Sequence, residues 1–437
     1  MTVNIRAVDL RGEIISSELI ESELPRAAID IDTALKTVEG LIERIEREGL
    51  EAILSIAREL DDIDINPVKA SEEELSFALE NLDGKLRDSL QIAIDRVRAV
   101  SIQSKPKDFS TKLAAGAHVS QRWQPVDSVG LYIPGGKAVY PSSVVMNAVP
   151  ALVAGVKRIV IATPGQKDFD GRAHPTVLAT AALLGIQDVY VIGGPAAIIA
   201  FALGIPEIGL KPVNLVTGPG NIYVAAAKRL LRGRIAVDSE AGPTEILIIA
   251  DKFANPDFVA ADLISQAEHD ELAAAVLVTD SEELLNAVKL ALAKQIATTA
   301  NKTRVEVSLG GQQSALVLVD DLAHAVAVAN VYSTEHLAIQ TTQNEVLLES
   351  ISNAGAIFLG NFSPVSLGDY LAGSNHVLPT GGQASFGPGL GVHTFLRAQQ
   401  VINYDNQALS EVADNVVAIA ESEGLSAHGD AIKIRFN

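Results

Sequence analysis

Eight histidines and no cysteine limit the chemistry open to this chain. Without thiols, a transition metal must be held by His, Asp, Glu or an amide oxygen, and no thiolate can serve as nucleophile. Gln266 and His269 are three apart on a helix expected to run from Pro256 to His269, so both face one side. Asp369 and His376 bracket a glycine-rich stretch, in Gly368-Asp369-Tyr370 and Asn375-His376. His428 follows the last long helix, five residues after Glu423. Glu335 and His336 are adjacent in Ser333-Thr334-Glu335-His336-Leu337. An acid beside an imidazole, at a loop or helix start, could supply a general base and a proton shuttle. His118, His174 and His324 have no carboxylate at a telling spacing, and the context of His393 is undecided. Spacing alone suggests a zinc site and leaves its fourth ligand open.

Four glycine-rich junctions add a second theme: Pro134-Gly135-Gly136, Gly193-Gly194-Pro195, Gly218-Pro219-Gly220-Asn221 and Ala241-Gly242-Pro243-Thr244. Each sits between a strand-like and a helix-like run, where glycine lets the backbone approach a phosphate at a helix N-terminus. None completes GxGxxG, and any one could be an ordinary tight turn. Clustered within about a hundred residues, they predict a nucleotide-sized ligand in the crevice at one sheet's carboxyl edge.

The elements that must position these residues are legible from periodicity. Residues 25 to 100 read as helix. In Ala34 to Leu60, Leu35, Val38, Leu41, Ile42 and Ile45 recur at helical spacing, and Gly49 separates two helices. Ser71 followed by three glutamates reads as an N-cap; Asp83-Gly84 breaks that helix, and Leu86 to Val100 forms another. From Val129, β-branched runs alternate with Ala-rich helical ones: Arg158 to Thr163 with Thr176 to Leu184, Asp188 to Ile192 with Pro195 to Ala202, and Val213 to Thr217 with Ile222 to Leu231. With Glu245 to Ala250 as a further strand, this predicts a parallel sheet covered by helices. The helix from Pro256 has Asn255 as its cap. Strand-like runs at Ala274 to Thr279, Ser314 to Leu318 and Ala356 to Leu359 predict a second α/β unit. Ser363 to Gly391 is a loop long enough to be functional. Leu409 to Glu423 reads as a terminal helix and Ala431 to Phe436 as a short tail strand.

Composition excludes several classes. The 437 residues carry 54 acidic against 34 basic side chains, a net charge of −20, which argues against a nucleic-acid partner. The acidity is expected to serve solubility. No secretory leader and no apolar run of membrane-spanning length is visible, so no membrane association and a cytoplasmic location are expected.

Several runs together resemble the signature segments of the histidinol dehydrogenase family, in its order and near its spacing, over nearly the whole chain. They are Val129-Gly-Leu-Tyr-Ile-Pro-Gly-Gly136, Gly218-Pro-Gly-Asn221, Ala241-Gly-Pro-Thr-Glu245, Leu263-Ile-Ser-Gln-Ala-Glu-His269, Glu335-His-Leu337, Asn353-Ala-Gly-Ala-Ile-Phe-Leu-Gly360, Gly368-Asp-Tyr370 and Asn375-His-Val-Leu-Pro-Thr380. The resemblance implies an NAD-dependent enzyme with one zinc (Zn2+) per subunit, oxidising L-histidinol through the aldehyde to L-histidine. It implies zinc ligands Gln266, His269, Asp369 and His428, with His336 taking the alcohol proton and Glu335 activating water. The zinc ligands, His336, Thr244, His376 and Glu423 would meet the substrate. Tyr132, Ala196 and Asn221 fall at dinucleotide-site positions.

The implied fold is α/β, with two incomplete Rossmann-like parallel-sheet domains and small helical N- and C-terminal arms in a domain-swapped homodimer. Residues 1–30 would form the N-terminal arm, 31–113 with 244–390 the zinc and catalytic domain, and 129–243 the dinucleotide domain. The arm 391–437 would reach the partner, so that its Glu423 and His428 complete the neighbour's site.

The chain departs from the family pattern at four places. Gly193-Gly194-Pro195-Ala196 replaces Gly-Gly-Ala-Gln and loses an amide at the cofactor turn. Thr244 stands for a Ser, Thr334 for a Pro, and Phe386-Gly387-Pro388-Gly389 for a Ser-rich loop end. Competing readings are a related dehydrogenase of another small alcohol, a zinc hydrolase, and a non-catalytic metal or solute binder. The hydrolase leaves the glycine-rich crevice without a role.

Overall fold

The computed structural model describes residues 4–27, 30–135, 138–240 and 242–436. Gly136 and Ala241, members of two of the glycine-rich turns, lie outside the described residues. In chain order the strands are β1 (Arg6–Asp9), β2 (Phe109–Ala114), β3 (Ala117–Pro125), β4 (Ser128–Tyr132), β5 (Arg158–Thr163), β6 (Val189–Val191) and β7 (Leu215–Thr217). They continue with β8 (Ala236–Val237), β9 (Glu245–Ala250), β10 (Ala274–Thr279), β11 (Ala315–Leu318), β12 (His336–Gln340), β13 (Ala356–Leu359) and β14 (Leu396–Tyr404).

Two parallel sheets carry the body. The five-stranded sheet runs β6-β5-β4-β7-β8, and the six-stranded sheet runs β1-β11-β10-β9-β12-β13. Without β1 the two orders are the same: the first strand of each unit is central, and the chain then builds outward on one side before crossing to the other. Each sheet therefore has a point where the strand order reverses, between β4 and β7 and between β9 and β12.

Burial on both faces explains why the strands read as unbroken apolar runs. In β9, Ile246 and Ile248 enter one core with Val259 and Leu263, while Leu247 and Ile249 enter the other with Val328 and Tyr332. Local signals place the helices. Ser71 and Glu74 close a reciprocal capping box, and Asn255 accepts from the Asp257 N–H ahead of helix Pro256–Ala267. Gly49, at φ +57, ends helix Ile31–Glu48 and starts Leu50–Ile56.

Several expectations are corrected. The helices of residues 31–104 pack on the five-stranded sheet and not on the six-stranded one: Val38, Ile45, Ala52, Ile94 and Val97 share one core with Val129, Leu131, Ile161 and Val216, and of residues 244–390 that core takes in Val377 and Leu390 from the loop before β14. The N-terminal arm is not purely helical, because β1 extends the six-stranded sheet in parallel beside β11. The C-terminal arm likewise begins with β14, which completes an antiparallel sheet with β3 and β2. The tail strand Ala431–Phe436 is absent: Gly424, at φ +71, lets the chain turn into helix Ser426–Lys433, which packs on helix Asn406–Ser422.

Candidate active site

Most of the candidate residues gather where the carboxyl edge of the five-stranded sheet meets the amino edge of the six-stranded one. β9 and β12 are parallel neighbours with His336 beside Ile246, which brings Glu335 next to Glu245. His336 opens a strand, not the loop or helix start that its sequence context suggests. Ser333, at φ +51, ends helix Leu322–Tyr332, and Thr334 leads directly into the apolar run of β12.

Glu335 and His336 are 6% and 4% exposed. Oε2 of Glu335 accepts from the Thr244 hydroxyl at 2.5 Å and from the Glu245 N–H at 3.0 Å. Burial pushes the Glu335 carboxyl up to about 8; those two donors oppose the shift, and the negative charges of Glu245 and Asp369 add to it. Nδ1 of His336 lies 3.1 Å from the Glu245 carbonyl and 3.5 Å from Glu335 Oε2. A carbonyl can only accept, so Nδ1 carries the proton and Nε2 keeps its lone pair. Burial holds His336 below the usual imidazole range, which keeps the ring neutral, although Asp369 pulls the other way.

Gln266 sits in the last turn of helix Pro256–Ala267, and His269 lies just beyond its cap residue Glu268, not on the helix itself. Gln266 Nε2 donates to Thr244 Oγ1 at 2.6 Å, leaving Gln266 Oε1 buried with no partner. Asp369 lies on the short helix Val365–Tyr370 inside the expected loop, and interacts electrostatically with both His336 and His269. Burial raises its carboxyl, and those two rings oppose the rise. Among the described residues, no three His, Asp or Glu side chains converge as a metal centre. Of the expected zinc ligands, His269 and Asp369 interact electrostatically, while Gln266 shares the Thr244 hydroxyl with Glu335.

His376 is tied to both units. Its Nδ1 donates to the Asp369 carbonyl at 3.0 Å, and its Nε2 accepts from Ser143 Oγ, on helix Pro141–Ala154, at 3.1 Å. Burial lowers this imidazole to about 4. Nearby, the Gly242 N–H donates to Thr380 Oγ1 at 2.6 Å. The loop thereby spans both sheets.

At the carboxyl edge of the five-stranded sheet, the Tyr132 hydroxyl accepts from the Gly194 N–H at 3.0 Å, and burial pushes its phenol up to about 12. Gly218, at φ +120, lies against the Tyr132 carbonyl, and a side chain there would collide with it. Asn221 caps helix Ile222–Leu231 through the Tyr223 and Val224 N–H groups. Ala196, on helix Gly194–Leu203, is 3% exposed and packs its methyl into the core around the five-stranded sheet.

Glu423 and His428 are not brought to these residues. Both are exposed on arm helices that pack chiefly on each other. Sequence reasoning also missed Arg26. Its Nε donates to Glu245 Oε2 at 3.0 Å, its guanidinium stacks 4.4 Å from the Tyr332 ring centroid, and it bonds the Tyr332 carbonyl. A lone arginine in a connecting segment carries no local signal. Glu245, also without an assigned role, was already visible in Ala241-Gly-Pro-Thr-Glu245.

The family model described as histidinol dehydrogenase matches residues 24–436. A histidinol dehydrogenase of Leifsonia xyli subsp. xyli (strain CTCB07) is 53% identical over 432 residues, covering 99% of this chain and 99% of the relative. One of Mycolicibacterium smegmatis is 51% identical over 432 residues, covering 98% and 97%. The crystal structure of histidinol dehydrogenase from Elizabethkingia anophelis superposes with a TM-score of 0.93 at 30% identity, covering 100% of this chain and 99% of that one. Among the described residues, no helix is long and apolar enough to cross a membrane.

Proposed function

The chain belongs to the histidinol dehydrogenase family, oxidoreductases of histidine biosynthesis, and from that premise we propose that it oxidises L-histidinol with NAD, through L-histidinal, to L-histidine. The observation that carries this reading is the buried Glu335–His336 pair, with one neutral imidazole lone pair free and one carboxyl tuned near neutrality.

His336 Nε2 takes the hydroxyl proton as the carbinol carbon gives up its hydride. In the second half Glu335 takes a proton from the water that adds to the aldehyde, and the hydrated carbon gives up a second hydride. Each hydride removes two electrons, and that water supplies the acid's second oxygen. No thiol adduct is available to a chain without cysteine, so the water route is the one its residues support. NAD would be the hydride acceptor, held by the Gly193–Gly194 and Gly218–Asn221 turns and Tyr132, with the exposed N–H groups at the start of helix Ile222–Leu231 suited to a phosphate.

The donor chemistry of Gln266, His269 and Asp369 fits zinc, and the unpartnered Gln266 Oε1 is the strongest sign of a missing cation. Bound there, zinc would anchor the substrate's imidazole and amine. With these three expected ligands on one chain, the reading extends to a homodimer in which His428 of an arm from the other copy is the fourth ligand and its Glu423 meets substrate. Exposure of both residues on an arm that leaves the body is consistent with this.

Purified, zinc-loaded protein given L-histidinol and NAD is expected to yield two NADH per substrate consumed. One NADH, or none, would overturn the reading.

A further inference from the structure

Beside the turn that follows β7, a buried lysine and a buried aspartate form a pair that the reaction above does not use. Lys228 lies on helix Ile222–Leu231 and Asp238 directly follows β8. Their side chains are 2% and 4% exposed and meet at 2.6 Å. Burying two charges is costly, and apolar residues of similar volume often stabilise a core as well or better. What this pair supplies is direction.

Lys228 Nζ donates to the Gly218 carbonyl at 2.5 Å, to Asp238 Oδ1 at 2.6 Å and to the Ser239 carbonyl at 3.2 Å, using all three ammonium donors. Asp238 Oδ2 accepts from the Gly218 N–H at 2.9 Å. Both backbone polar groups of Gly218 are therefore held by one ion pair, while its α-carbon abuts the Tyr132 carbonyl. Ser239 lies in the crossover from the five-stranded to the six-stranded sheet, which leads to Thr244, the hydroxyl donor to Glu335.

We propose that Lys228 and Asp238 are positioning residues for the dinucleotide: they hold the Gly218–Asn221 turn in its binding shape and tie it to the crossover that carries Thr244. The inference rests on the dinucleotide reading above. A turn ordered in advance lowers the entropy cost of binding, and its register with Thr244 sets the hydride acceptor against the acid–base pair.

The test uses the full-length protein and NAD in isothermal titration calorimetry, with KM for L-histidinol measured alongside. Lys228→Met combined with Asp238→Asn removes both charges together, so neither is left buried and unpaired. The NAD dissociation constant is expected to rise about tenfold, while KM for L-histidinol stays within about twofold. Unchanged NAD affinity in the folded variant overturns the proposal. So does an equal rise for both ligands, which would report general loosening. Wild-type protein that binds no NAD overturns the dinucleotide reading and this inference with it. Hydrogen exchange on the wild-type protein gives a reading that does not depend on the variant folding. The peptide carrying Gly218 and Asn221 is expected to be protected before NAD is added. Rapid exchange there, slowed only on binding, overturns the proposal.

Discussion

Thr244 and Glu335, 91 residues apart in the chain, meet at 2.5 Å at the amino ends of the adjacent strands β9 and β12. The threonine hydroxyl accepts from Gln266 and donates to Glu335, so it joins an expected metal ligand to the expected water-activating base. Thr244 keeps the hydroxyl of the family's usual serine, and in this chain that hydroxyl serves the carboxyl.

Thr244→Val removes this link and is expected to slow the aldehyde-to-acid half by about 10- to 100-fold, since a charge-assisted hydrogen bond contributes about 1.5–3 kcal/mol. Thr244→Ser keeps the hydroxyl and should stay close to wild type. Rates with L-histidinal as substrate provide the comparison; a valine variant as fast as wild type would show that Glu335 does not depend on Thr244.

Glu335→Gln removes the base but keeps a similar shape. The aldehyde half is expected to fall by about 10²–10⁴-fold, and the alcohol half by less, because His336 serves that step. Single-turnover measurements separate the two; equal losses would contradict the division of roles.

The raised carboxyl sets a pH dependence. Glu335 accepts a proton only when ionised, and burial holds its pKa at about 8. The aldehyde half should therefore fall as pH drops below about 8 and level off above it. His336 is held below the ordinary imidazole range, so the alcohol half has no matching limb there. Glu335→Gln should abolish the limb at about 8; a limb of unchanged position in that variant would assign it to another group.

Arg26→Met leaves Glu245 buried, with Oε1 already unpartnered and Oε2 stripped of its arginine. Because the Arg26 side chain is 32% exposed, the loss is discounted to about 2–3 kcal/mol in urea denaturation. Adding Glu245→Gln should recover much of it. A single variant as stable as wild type would show that the pair does not hold the N-terminal arm.

Arm exchange has its own test. Glu335→Gln and His428→Ala proteins, each impaired alone, are mixed and allowed to exchange subunits. If the arm completes its neighbour's site, half of the dimers are hybrid and each has one intact site, so about a quarter of full turnover returns. No recovery on verified exchange would keep the arm within its own subunit.

Much was legible locally. The Ser71–Glu74 capping box, the Asn255 cap, the Gly49 break and the alternation of β-branched and alanine-rich runs appear where periodicity puts them. The glycine-rich turns and the Glu335-His336 dipeptide were legible as a candidate site for the same reason: their residue types carry chemistry wherever the chain takes them.

What spacing could not supply is which distant surfaces meet. An amphipathic helix shows that it has a buried face, but not which sheet buries it, and nothing in residues 31–104 says that their helices pack on the five-stranded sheet. Parallel strands pair through long connections, so nothing in Arg6–Asp9 announces β11 as its neighbour. Arg26 with Glu245, and Lys228 with Asp238, are ordinary charges in the sequence; only packing strips them of water and makes each the other's partner. By itself the sequence determined the local elements and the chemical inventory, because these depend on near neighbours and residue type. Tertiary structure alone decided that Thr244 would hold Glu335, because that bond needs two adjacent strands from distant parts of the chain.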